Sequence, residues 1–157
     1  MADVEMCDEL LEKASEFARE NDLPYAGALT PKEAWALLQN DSTAMLVDVR
    51  TQAELDWVGF VDLYEDRWVH IEWNVYPQNT RNPEFLSLLE EAVPKDCTVL
   101  FLCRSGVRSH HAAKLAAEAG YKTALNILEG FEGEKNTQGH RNKTGGWCKA
   151  NLPWLQN

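Results

Sequence analysis

Thr98–Ser109 reads TVLFLCRSGVRS. Its first five residues, Thr98 to Leu102, are β-branched or large and apolar, the composition of a short buried strand. Ser105 and Gly106 then favour a turn. From Val107 to Ala119 the chain is rich in alanine, reads as a helix, and stops at Gly120, a residue that readily takes the left-handed conformation ending helices. Cys103 therefore stands where a buried strand passes through a short loop into a helix N-terminus.

The segments on either side extend this pattern. Ala44–Val49 (AMLVDV), Val69–Val75 (VHIEWNV) and Thr123–Leu128 (TALNIL) read as further strands. Pro83–Val93 has helical spacing, and Pro94 ends it. Thr30-Pro31-Lys32-Glu33 combines an N-cap threonine, proline at the first helical position and a capping-box glutamate, so a helix should run to about Gln39. Val4–Glu20 carries the apolar spacing of an amphipathic helix, and Asn21–Gly27 breaks it. Strands alternating with helices predict an α/β fold with a parallel sheet covered on both faces. Residues 1–24 form an N-terminal helical extension in this reading, and residues 25–157 the main domain. Ligands of such sheets sit at the carboxyl ends of the strands. That places Asp48, Arg50, Cys103 and Glu129 near one rim.

Composition narrows the function. The chain has 157 residues, 45% of them hydrophobic and 25% charged, and a formal net charge of −10. This balance argues against nucleic acid and anionic membrane surfaces as partners, since both need clustered Lys and Arg. The N-terminus is acidic and lacks the basic and apolar regions of a secretory signal, so a cytoplasmic protein is expected. No apolar run approaches the roughly 18 residues of a membrane span. The six tryptophans are expected to fill the core or cover its edges. The four cysteines form no CxxC pair and read as free thiols. His110 and His111 are adjacent and face different directions on a helix, and no metal spacing or nucleotide fingerprint is found. Neither metal nor cofactor is expected.

The loop after Cys103 carries the chemistry. Backbone N–H groups in such a loop can converge on one point, and a helix N-terminus adds free N–H groups and partial positive charge. Arg104 and Arg108 add full charges. Surroundings of this kind favour thiolate over thiol, and the thiolate is the nucleophile. The same cradle suits a terminal sulfur carrying negative charge after attack. Gly106 is expected at positive φ. The nucleophilic role further requires that Cys103 be reachable and that the loop peptides turn inward.

LFLCRSGVRS resembles the active-site strand and loop of the rhodanese superfamily. LVDVRTQAEL resembles that family's D-x-R-x-x-x-E motif through Asp48, Arg50 and Glu54. Asn126 with Leu128-Glu129-Gly130-Phe131 resembles the strand and glycine turn that close the site. Gly146-Trp147 and Leu152-Pro153-Trp154 resemble the aromatic end of the family. The resemblance implies a sheet of about five parallel strands flanked by helices. It implies a sulfurtransferase in which Cys103 takes sulfane sulfur from a small anionic donor such as thiosulfate, as a persulfide. The acceptor would be cyanide or a thiol, including a protein thiol. Arg104, Ser105, Gly106, Val107, Arg108 and Ser109 correspond to the anion cradle. Asp48, Arg50, Glu54, Glu129 and Gly130 correspond to the supporting rim.

Departures from the family pattern are also present. The position two after the cysteine, often basic in thiosulfate enzymes, is Ser105. Gly59 leads into an unusual connection, FVDLYEDRWVHIEW, and the loop 132–146 is longer than the usual turn. A cysteine phosphatase or arsenate reductase is the rival enzyme, but its loop reads Cys-x5-Arg, against Cys-x4-Arg from Cys103 to Arg108. A non-catalytic rhodanese-like binding module is the other alternative, although such modules usually lack the cysteine.

Overall fold

A computed structural model describes residues 2–156. Along the chain the elements are α1 (Ala2–Glu20), β1 (Gly27–Leu29), α2 (Pro31–Asn40), β2 (Met45–Asp48), α3 (Gln52–Trp57), β3 (Phe60–Val61) and β4 (Trp68–His70). They continue with β5 (Asn74–Val75), β6 (Thr80–Arg81), α4 (Phe85–Ala92), β7 (Val99–Leu102), α5 (Val107–Glu118), β8 (Ala124–Ile127) and β9 (Trp154–Leu155). The main sheet has five strands in the order β1-β8-β7-β2-β4, all parallel. This is the expected α/β architecture.

Side chains alternate across the sheet, so each strand feeds two cores. Val47, Phe101 and Cys103 face α4 and α5, where they meet Phe85, Leu89, Ala112 and Ala116. Leu46, Leu100 and Leu102 face the other way, toward Ala14, Leu37, Phe131 and Trp147. Cys103 thus points to the α5 side. Register fixes its neighbours: Asp48 lies beside Leu102 on β7 and beside His70 on β4. The residues that follow leave adjacent central strands at one edge.

The predicted helices form, with ends within a few residues of expectation. The capping box at Thr30 and Glu33 is present on α2, and Gly120 has φ +104°. The stretch 69–75 behaves differently from a single strand. β4 ends at His70, Ile71 and Trp73 still donate to Asp48 and Val49 carbonyls, and then Asn74–Val75 pairs with Thr80–Arg81 as a hairpin. The alternating pattern is satisfied by two different partners. β1 lies at the end of a segment that reads as a breaker. Its Gly27 is needed because α1 crosses so closely that a Cβ there would fall on the Ala14 backbone. Ala14 is fully buried, and Lys13 pairs with Glu33 of α2. The unusual connection after Gly59 forms β3, which pairs antiparallel with β9 and ties down the C-terminal segment.

The tryptophans divide. Trp147 and Trp73 are buried, whereas Trp57 is 76% exposed. Among the described residues, no helix is long and apolar enough to cross a membrane.

Candidate active site

Cys103 follows β7 directly, and α5 begins four residues later. The turn between them is made by Gly106, which has φ +104° and caps α5. Its N–H donates to Cys103 Sγ at 3.1 Å. Among the described residues this is the backbone donor to the sulfur, so one amide faces it and not the wider ring expected. The second contact comes from α5: Ser109 Oγ lies 3.2 Å from Sγ. Ser109 donates to Asn126 Oδ1 at 2.5 Å, and Asn126 Nδ2 donates to the Gly106 carbonyl at 3.1 Å. Asn126, on neighbouring β8, therefore pins both the glycine turn and the first turn of α5. With Ser109 hydrogen-bonded to Asn126, its oxygen is available to a thiol proton. A thiolate would instead draw the Ser109 hydroxyl toward sulfur.

The turn after β8 buckles the loop from the other side. Phe131 N–H donates to the Cys103 carbonyl at 2.8 Å, and the N–H groups of Glu132 and Gly133 donate to that of Arg104 at 3.0 and 3.1 Å. Approach this close requires Gly130, at φ +66°; a Cβ there would stand 2.5 Å from the Arg104 carbonyl and 2.6 Å from that of Cys103. The Glu129 carboxylate accepts from Gly146 N–H at 2.9 Å.

Two ion pairs frame the rim. Asp48 and Arg50 are both fully buried and pair through two side-chain bonds of 2.9 and 2.7 Å. The guanidinium lies 4.2 Å over the Phe131 ring. Burial works against its charge, but Asp48 outweighs that and raises the Arg50 pKa above its ordinary value. Arg108 Nη1 and Nη2 donate to Glu54 Oε1 and Oε2 at 2.7 and 2.9 Å, with about a fifth of each side chain exposed. Here too burial opposes both charges. Each partner overcomes it for the other, with Glu54 held below and Arg108 above its ordinary range. Glu54 also completes a capping box with Thr51 at the start of α3.

Thus Asp48, Arg50, Glu54, Arg108 and Gly130 do gather around the Cys103 loop. Ser105 is half-buried, and Arg104 and Val107 point to solvent. Cys103 itself is only 1% exposed. The reachable thiol that the nucleophilic role requires is not present in this closed loop. Over the arginine side of the loop lies a cleft of about 570 Å³, walled by α3 and the β5–β6 hairpin and lined by Glu54, Trp57, Tyr76, Asn79, Arg104 and Arg108.

Several features escaped the sequence reading. The Thr51-x-x-Glu54 pattern is a capping-box signal that could have been read there. The Ser109–Asn126 bond joins residues 17 apart and carries no local signal. Of the other cysteines, Cys97 has its thiol pushed up by burial, and burial pushes that of Cys148 up to about 12 although Arg50 pulls the other way. His111 stacks on Trp73, and His110 lies 2.6 Å from the Tyr25 hydroxyl.

The chain is similar to proteins of several bacteria. It is 39% identical over 122 residues to the uncharacterized protein RP600 of Rickettsia prowazekii, covering 78% of this chain and 91% of that protein. It is 29% identical over 125 residues to the thiosulfate sulfurtransferase GlpE of Haemophilus influenzae, covering 80% and 90%. Among solved structures, Rv0390 of M. tuberculosis superposes with a TM-score of 0.78 at 44% identity, over 85% of this chain and 99% of that one. The STR4 middle domain family matches residues 26–157. With its parallel sheet, its cysteine at the central strand end and its glycine-buckled loop, the chain belongs to this family and is rhodanese-like.

Proposed function

We propose that the protein is a sulfurtransferase that moves sulfane sulfur from an anionic donor to a thiol or cyanide through a Cys103 persulfide. The observation that carries this reading is the contact set of Sγ: the Gly106 N–H and the Ser109 hydroxyl within 3.2 Å, at a helix N-terminus. Both can donate to a sulfur that holds negative charge. The similarity to a thiosulfate sulfurtransferase supports the same chemistry.

In the first half-reaction the Cys103 thiolate attacks the sulfane sulfur of thiosulfate. A new S–S bond forms, the S–S bond of thiosulfate breaks, and sulfite leaves with its electron pair. The ionised outer sulfur then takes over the donors. Asn126 keeps the glycine turn and the serine in register, so the cradle is assembled before the charge arrives. Entry to the buried sulfur requires a small opening of the loop, and exposed Arg104 is placed to admit and pair an anion. No protein group needs to act as a base once the thiolate exists.

The test is mass spectrometry of the intact protein after incubation with thiosulfate and, separately, mercaptopyruvate. Wild type should gain one sulfur, mapped to Cys103, and Cys103→Ser should gain none. A wild type that stays unmodified with both donors, or a serine variant that gains the sulfur, would remove the proposal. Loop opening has its own signature. A small haloacetamide should alkylate Cys103, whereas a bulky maleimide should react far more slowly. Equal rates with both reagents would mean that the loop stands open.

A further inference from the structure

We infer that the acceptor is a cysteine on an extended, acidic segment of a partner protein, laid in the cleft between α3 and the β5–β6 hairpin. This rests on the sulfur-transfer reading above. The cleft, at about 570 Å³, is far larger than cyanide requires. Volumes of this order accommodate ligands of drug or peptide size, roughly 300–1,000 Å³.

The walls suit a polypeptide. Trp57 from α3 is 76% exposed and Tyr76 from the hairpin 54%, and their rings meet edge to face at 6.5 Å. Tryptophan, tyrosine and arginine are the residues that most often dominate protein interfaces, and here Arg104 and Arg108 lie beside the aromatic pair. Two large aromatics exposed together differ from the scattered apolar residues of an ordinary surface. Asn74 and Asn79 also line the cleft. A carboxamide both donates and accepts, as a passing peptide backbone demands.

Charge selects the kind of segment. The chain carries −10, yet the cleft has two arginines against the single carboxylate of Glu54. An acidic segment is repelled by most of the surface and attracted here, which steers encounter to the loop. The transfer needs no further reactant. The acceptor thiolate attacks the outer sulfur of the Cys103 persulfide and forms its own S–S bond. The bond to Cys103 Sγ breaks, and Cys103 departs as thiolate.

The experiment loads the full chain with thiosulfate, removes excess donor, and follows loss of the persulfide by mass spectrometry. Three acceptors are compared: a short peptide with one cysteine flanked by aspartates, its lysine-flanked counterpart, and cyanide. The aspartate peptide should discharge the persulfide about tenfold faster than the lysine peptide, the ratio that about 1.4 kcal/mol provides. Trp57→Ala and Tyr76→Ala should each slow peptide discharge by about fivefold or more while cyanide discharge changes by less than about twofold. Arg104→Glu should reverse the preference between the peptides. Peptides that react alike, or aromatic variants that slow cyanide as much as peptide, would overturn the inference. Wild type that never loads would instead bring down sulfur transfer itself, and this inference with it.

Discussion

The two arginine–carboxylate pairs of the rim each use two hydrogen bonds, side-on in Arg50–Asp48 and end-on in Arg108–Glu54, and they differ in their access to water. Arg50–Asp48 joins residues two apart and is sealed from solvent, whereas Arg108–Glu54 joins residues 54 apart with a fifth of each side chain exposed. Losing one partner of a sealed pair strands a charge in low dielectric, which costs far more than the pair contributes. Losing one partner of a pair that still reaches solvent lets water take part of its place, at a smaller cost. The inner pair is therefore a scaffold that sets the end of β2. The outer pair is a clasp between α3 and the first turn of α5.

The largest effect should come from the inner pair. Arg50→Ala is expected to lower stability by about 3–5 kcal/mol in urea unfolding, because Asp48 is left buried and uncompensated. A loss below about 1 kcal/mol would show that Asp48 is not stranded as described. Next in size is Gly130→Ala. Its Cβ would press on the Arg104 carbonyl, and a left-handed φ adds strain of about 1–3 kcal/mol. This variant sharpens the comparison because Phe131 covers Arg50 with its ring and holds the Cys103 carbonyl with its N–H. Gly130→Ala should therefore reduce both stability and persulfide formation; stability lost with full loading would separate scaffold from loop.

The smallest effect belongs to Glu54→Gln, about 1 kcal/mol or less at neutral pH. Its pH dependence is the more telling reading. Arg108 holds the Glu54 carboxyl below its ordinary value of 4.5 in the folded protein. The stability it contributes is fully present above the unfolded value and is lost as pH falls through the folded one. Wild type should lose stability faster than Glu54→Gln on acidification below about pH 4.5. Parallel acid profiles would show that the clasp carries no net electrostatic stabilisation.

Much of this was legible in the sequence, for reasons specific to each part. The strand at Val99–Leu102 announces itself because a strand buried on both faces must be apolar throughout. The α2 start is legible because capping is local chemistry within four residues. The passage from strand through Gly106 into α5 is legible for the same reason. What stayed hidden depends on contacts distant in sequence: Ser109 with Asn126, Arg108 with Glu54, and the aromatic cleft assembled by two elements. The stretch 69–75 was misread as one strand because alternation reports two faces and cannot say which strand pairs with them. The depth of Cys103 was also invisible, since it depends on how tightly the turn at Gly130 draws the loop down.

That depth bears on how long a loaded sulfur survives. Thiolates and persulfides in the open are consumed by peroxide, step by step, to acids that cells seldom repair. On the proposed sulfur-transfer reading, Cys103, at 1% exposure, meets oxidants only during the loop openings that this reading requires for donor and acceptor. Turnover and damage then share one gate. A protein charged with sulfur should keep its cargo between deliveries, and excess peroxide should inactivate it at a rate set by loop opening rather than by oxidant concentration.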